Sequence, residues 1–175
     1  MSNLNDYKLI RLELNHELKP FNCGETKAGK DLTDFFINKS KDHLKQLLAV
    51  TYILESNNKT IAYYSVLNDK VDRSRKINKF IPDAKNYSTY PAVKIGRLGV
   101  HKDHQRESIG TELFDYIKVL FITNNRTGCT FITVDAYNET NVIEFYIKNG
   151  FAFPSSKDKD DKIRLMYFDL MTIIS

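Results

Sequence analysis

The chain has 175 residues, 42% hydrophobic, 12% aromatic and 27% charged, with 7 Gly and 4 Pro. It is long enough to bury one sizeable core and too evenly composed to be disordered, low-complexity or collagen-like. Its 26 basic and 22 acidic side chains leave a formal charge of +4, which permits an anionic partner but lacks the dense basic stripe of a dedicated duplex binder. No apolar run reaches the ~20 residues of a membrane span, and the opening MSNLNDYK lacks the basic-then-apolar order of a signal peptide. The expectation is a cytoplasmic chain with no membrane partner, folded as a single domain over residues 1–175. Cys23 and Cys129 stand far apart and form no CxxC or Cys/His pattern, so neither a disulfide framework nor a metal site is predicted.

Leu9, Ile10, Leu12 and Leu14 largely alternate with polar residues, predicting a strand that ends before Pro20. After a Gly-containing turn, Leu32, Phe35, Phe36, Leu44, Leu47 and Leu48 recur among Lys and Asp and predict one or two short amphipathic helices over about residues 31–48. Residues 49–54 and 60–67 are β-branched and aromatic runs joined by ESNNK. Asn57 and Asn58 tolerate the positive φ of a tight turn, so the pair reads as an antiparallel hairpin. Residues 68–90 are polar, carry the cations Arg73, Arg75, Lys76 and Lys79, and read as a long loop; such a cluster is either a solvated surface or a nucleic-acid contact. Pro91 then precedes a strand at 92–100, weakened by Gly96 and Gly99, where glycine marks a bulge or a close approach to the backbone.

The turn HKDHQRESIG leads into the clearest helical stripe of the chain, Ile109, Leu113, Phe114, Ile117, Leu120 and Phe121, stopped by Asn124–Asn125 and Gly128. TFITVDA alternates as a strand. A second helix follows over about residues 140–148, with Asn138 as candidate N-cap and Asn149–Gly150 at its C-terminal end. Strands at 151–153 and 163–170 flank the charged turn SSKDKDDK. The order is that of a mixed α/β domain.

Chemistry concentrates in the strand, turn and helix at 92–123. A helix N-terminus presents backbone N–H groups without intrahelical partners, and these attract phosphate together with the helix dipole. Gln105-Arg106-Glu107-Ser108-Ile109-Gly110 brings small residues and one cation to that turn, chemistry that suits a pyrophosphate and also suits an ordinary turn.

These residues resemble the acetyl-CoA loop of the GNAT superfamily of N-acetyltransferases, Q/R-x-x-G-x-G/A between a strand and a helix. Gln105 and Gly110 match its ends, and Ser108 stands where the family usually has its first glycine. VDAYNETNVIEFYIKNGF looks like the later GNAT segment, a strand and a tyrosine-bearing helix followed by Gly-Phe. FNCGETKAGKDLTDFF, TYIL with IAYYSVLNDKV, and PAVKIGRLGVHKDHQ resemble the branch that includes acetyltransferase toxins of toxin–antitoxin pairs. About residues 8–170 are covered.

The resemblance implies the GNAT fold, a mixed and mostly antiparallel sheet flanked by helices and splayed between the strand at 92–100 and the strand at 131–136. It implies acetyl-CoA as cosubstrate and direct attack of a primary amine on the thioester. Leu98, Gly99 and Val100 would offer backbone groups to the pantetheine arm. Gln105, Arg106, Glu107, Ser108, Ile109, Gly110 and Thr111 would form the pyrophosphate turn. Asn138 would bond pantetheine amides or cap its helix, and Tyr146 would be the general acid that protonates the leaving thiolate. His101, His104 and Asp135 are candidate bases; a water chain or an already deprotonated amine would need none. The branch implies an aminoacyl-tRNA amine as acceptor, held by the 73–79 cations and Arg97, a small antitoxin protein as partner and a homodimer. Small-molecule or protein amines, or a GNAT-fold module that binds CoA without turnover, are the alternatives.

Overall fold

The two alternating runs after residue 49 form a hairpin. β1 (Lys8–Arg11) and the hairpin strands β2 (Val50–Glu55) and β3 (Thr60–Asp72) pair antiparallel in turn, with Leu9 opposite Leu54 and Ile53 opposite Tyr63. The computed structural model describes residues 7–73, 77, 87–123 and 127–174. The hairpin turn closes with the Ser56 N–H donating to the Lys59 carbonyl at 3.0 Å. Among the described non-glycine residues, positive φ occurs only at Leu47, Arg106 and Ser108, so the turn does without the left-handed conformation that Asn57 and Asn58 tolerate.

Helix runs from Lys27 to Lys45 in three consecutive pieces: α1 (Lys27–Asp34), a π-helical turn (Phe35–Lys39) and α2 (Ser40–Lys45). It begins before the expected residue 31 because Thr26 Oγ1 caps it, accepting from the Gly29 N–H at 3.0 Å. Gly29, which argues against helix in the sequence, is there for packing. A Cβ on it would sit 2.7 Å from the Gly24 carbonyl oxygen and 2.9 Å from that of Cys23.

Two compact units divide the chain. The first draws on Met1–Leu67 and Ile95–Asp115 and is built on Leu12, Phe21, Phe35, Phe36, Ile53 and Tyr63. Phe36 stacks on Tyr63 with ring centroids 4.9 Å apart, and Phe21 meets both edge-on. Each such side chain contributes roughly 1.5–3 kcal/mol by leaving water.

The second unit draws on Asn68–Lys94 and Tyr116–Ser175. Its core joins Val71, Ile77, Tyr90, Ala92, Phe131 and Tyr167. β3, β4 (Thr89–Val100) and α3 (Ile109–Thr123) each contribute residues to both units. β5 (Phe131–Tyr137) and β6 (Ile163–Asp169) pair antiparallel along their whole length, and α4 spans Thr140–Lys148.

The strands hydrogen-bond in the order β1-β2-β3-β4-β5-β6, a mixed and mostly antiparallel sheet as expected. Its parallel pair, β4 with β5, spans Ala92–Lys94 against Phe131–Thr133, toward the N-terminal ends of both strands. Residues 68–72 continue β3 rather than opening a loop, and β4 starts before Pro91. The expected strand at 151–153 reduces to one bridge, Ala152 with Tyr167, and short 3₁₀ turns cover Lys102–His104 and Leu170–Ile173. Asn124–Asn125, Arg75, Lys76 and Lys79 lie outside the described residues. No helix among the described residues is long and apolar enough to cross a membrane.

Candidate active site

The turn between β4 and α3 stands out by its backbone. Arg106 and Ser108 have φ of 70° and 66°, the left-handed region that glycine adopts without penalty. The Glu112 N–H donates to the Ser108 carbonyl at 3.1 Å, the first bond of α3. The amides of Ile109, Gly110 and Thr111 therefore have no carbonyl four residues back to donate to. Ile109 is buried and roots the helix, while Gln105 through Ser108 are exposed. Glu107, whose charge would oppose an anion here, turns its carboxylate to His104 Nδ1 at 2.9 Å. The start of α3 therefore offers an anion these amides, with the exposed Arg106 beside them.

The strand leading into this turn is fastened from one side. Gln105 Nε2 donates to the Cys23 carbonyl at 2.9 Å and to the Val100 carbonyl at 3.1 Å. Burial raises the Cys23 thiol pKa, and the protonated thiol donates to the same Val100 carbonyl at 3.3 Å. Two donors occupy both lone pairs of that oxygen, so Val100 has no carbonyl acceptor left for a ligand. Gly99 is explained by packing: a Cβ on it would meet Tyr63 Cε1 at 2.9 Å and Phe21 Cζ at 3.2 Å. Tyr63, buried and protonated, donates to the Leu32 carbonyl at 2.7 Å and so ties α1 to the same aromatic cluster. Arg97 does not present an unmatched charge. Its Nε lies 3.6 Å from Asp31 Oδ2 and its guanidinium 5.2 Å from the centre of the Phe35 ring.

Leu98 through Thr111 all belong to the first unit, whereas Asn138 and Tyr146 belong to the second. Tyr146 is half-buried on α4, its ring edge-on to Phe145 at 5.6 Å and to Phe151 at 5.5 Å. Burial, with the Asp135 charge adding to it, pushes its phenol up to about 12. The helix end that carries it is closed by a Schellman pair, Phe151 N–H to the Tyr146 carbonyl at 3.0 Å and Gly150 N–H to that of Ile147 at 2.9 Å. Gly150 supplies the φ of 87° this closure needs.

Asn138 does not cap α4; Glu139 takes the N-cap position without a side-chain bond. The Asn138 amide instead donates to the carbonyls of Lys159 and Asp161, each at 2.9 Å, because the charged turn before β6 folds back onto it.

The candidate bases differ in their surroundings. Asp135 is held by Lys94 Nζ at 2.9 Å, and Lys94 also lies 3.5 Å from Asp69, whose carboxylate accepts from the buried Thr133 hydroxyl at 2.6 Å. His104 is engaged by Glu107. His101 is buried edge-on to Phe21, with Nδ1 accepting from the Asp103 N–H. Burial lowers its pKa and keeps it neutral at pH 7. The Lys94–Asp69–Thr133 network had no signal in the sequence, because three single polar residues on three strands show no spacing rule.

A profile for the acetyltransferase (GNAT) domain matches residues 48–152, more than half of the chain and all of the turn just described. The chain belongs to the GNAT acetyltransferase family. Membership makes it an N-acetyltransferase with acetyl-CoA as cosubstrate. No curated protein matches it at the sequence level. Among solved structures it is similar to a tyrosine-to-phenylalanine mutant of KacT, at 20% identity over 97% of this chain and 98% of that one, with a TM-score of 0.77. It is also similar to AtaT complexed with acetyl-methionyl-tRNAfMet, at 19% identity, 97% and 98% coverage and a TM-score of 0.76. AtaTR bound with AcCoA matches at 23% identity, with 97% of each chain covered and a TM-score of 0.73. At these identities the likeness establishes the GNAT fold over nearly the whole chain.

Proposed function

We propose that this GNAT enzyme acetylates the α-amine of an aminoacyl group on tRNA, a toxin-like activity. We further propose that the turn from Gln105 to Thr111 seats the pyrophosphate of acetyl-CoA. The observation that carries the second part is the left-handed pair Arg106 and Ser108 directly before the unsatisfied amides of α3. Left-handed turns of this kind aim successive N–H groups into one concavity, where they meet an anion. Leu98, Gly99 and the N–H side of Val100 would line the arm that leads from the turn.

Acetyl-CoA supplies the acetyl group and a thiolate leaving group. The chain's own part is to orient and to protonate. A phenol held near 12 stays protonated at neutral pH, and Tyr146 hands its proton to the sulfur as the carbon–sulfur bond breaks. Asp135 and His104 are held by partners, and the single acceptor nitrogen of neutral His101 is taken by the Asp103 N–H, so the amine gives up its proton through water or arrives already deprotonated.

Support for the tRNA acceptor comes from the AtaT complex with acetyl-methionyl-tRNA, which aligns over nearly the full length of both chains. AtaT bound to the C-terminus of the antitoxin AtaR likewise supports a small antitoxin as partner. Transfer of labelled acetyl from acetyl-CoA to a panel of charged tRNAs tests the reading. Label on at least one aminoacyl amine is expected. Label only on small-molecule or protein amines would overturn the tRNA assignment, and binding without thiol release on any amine would mark a CoA-binding module instead.

A further inference from the structure

The three residues Asn22, Cys23 and Gly24 are gripped from two sides. On the side of the turn after β4, Gln105 Nε2 donates to the Cys23 carbonyl at 2.9 Å and the Lys102 N–H donates to the Asn22 carbonyl at 2.8 Å. On the side of α1, the Cys23 N–H donates to Thr33 Oγ1 at 3.0 Å, and that hydroxyl donates to the Gly29 carbonyl at 2.8 Å. Gly29 closes against the carbonyls of Cys23 and Gly24, with no room for a Cβ. A short segment bonded on both sides cannot shift without breaking one set of bonds, so the position of α1 and the shape of the turn are linked through it. Both hydrogens of the Gln105 amide are used on carbonyls, at Cys23 and Val100.

We propose that Asn22–Gly24 is a strap that keys α1 to the acetyl-CoA turn, and that the side chain of Gln105 is its positioning group, acting through Cys23 while the Gln105 backbone remains part of the turn. The proposal rests on the assignment of the turn as the acetyl-CoA seat. Its physical content is that amides serve an anion only when already aimed, and the strap keeps the residues before Arg106 from drifting when α1 moves. Losing the Gln105 bonds leaves two carbonyls of the strap and strand without that donor, and looser amides then bind the pyrophosphate less well.

Calorimetric titration with acetyl-CoA tests this in wild type and in Gln105→Leu, Thr33→Val, Thr33→Ser and the Gln105→Leu/Thr33→Val double variant, each checked for a folded melting transition. Gln105→Leu is expected to raise Kd about tenfold, the equivalent of about 1.4 kcal/mol. Thr33→Val, on the far side of the strap, is expected to raise it about threefold by the same route. Thr33→Ser keeps the hydroxyl and restores wild-type affinity. In the double variant the effects do not add, because one strap is already loose. Should Gln105→Leu fail to fold, the Thr33→Val and Thr33→Ser pair decides alone. Wild-type affinity in Gln105→Leu or in Thr33→Val overturns the strap while leaving the acetyl-CoA seat intact. No binding by wild type overturns the seat and the strap together.

Discussion

Replacing Ser108 by glycine removes a side chain from a residue held at φ 66°. A non-glycine residue in the left-handed region costs about 1–2 kcal/mol. Glycine gives back roughly 0.5–1 kcal/mol of that through the greater freedom of the unfolded chain. Exchanging a serine for glycine before a helix costs only about a few tenths more. Ser108→Gly should therefore stabilise the protein by about 0.2–0.7 kcal/mol, a rise of about 0.5–3 °C in Tm for a chain of this size. Ser108→Val, which forces a β-branched side chain into the same conformation, should lower Tm. Thermal melts of the three proteins, followed by circular dichroism, make the comparison. Acetyl-CoA affinity of Ser108→Gly should equal or exceed wild type, since the backbone N–H is kept. A lower Tm for the glycine variant, or equal stability with valine, would refute the left-handed assignment and the turn geometry built on it.

Tyr146→Phe should lower kcat about 10²–10⁴-fold while leaving the calorimetric Kd for acetyl-CoA within about twofold, since the lost hydroxyl acts on the leaving group; unchanged turnover would remove Tyr146 from the mechanism. Because burial pushes that phenol up to about 12, the rate should hold through pH 10, where a solvated phenol ionises, and a pH–rate profile falling there would contradict the buried acid. For His101, burial lowers the folded pKa below the ordinary 6.5, so as pH falls through that range the unfolded state takes up the proton first and stability drops. Urea melts at pH 7.5 and pH 5.5 should show that drop, and His101→Gln should shrink it. Gly150→Ala adds a Cβ 2.9 Å from Phe168 Cε2 at a φ of 87° and should destabilise by about 1–3 kcal/mol, read as a lower urea midpoint.

What the sequence disclosed depended on whether a residue's neighbours were along the chain or across the fold. The stripe from Ile109 to Phe121 and the stop at Asn149–Gly150 are local, and α3 and α4 appear where those residues put them. The reason for Gly29 inside a helix is the close approach of the Cys23 and Gly24 carbonyls, which no spacing shows. Residues 68–72 read as loop because Asp69, which occupies a strand position, is polar, and only the partners Thr133 and Lys94 on other strands make it tolerable there. Gly99 pointed correctly to a close approach, but of Tyr63 and Phe21. Gln105 and Ser108 were legible as motif positions. That the glutamine side chain serves Cys23 and that the serine is left-handed depend on bonds and angles that no spacing records. Asn138 was drawn away from the helix it precedes by two carbonyls 21 and 23 residues downstream.

The seat at the start of α3 is most directly tested by titrating the protein with acetyl-CoA and, in parallel, with acetyl-pantetheine, which carries the same thioester arm without the pyrophosphate and nucleotide. If the amides of Ile109, Gly110 and Thr111 grip the pyrophosphate, affinity should fall by about a hundredfold or more in the truncated thioester, the worth of two or so charge-assisted hydrogen bonds. Equal affinity for the two thioesters would contradict the account.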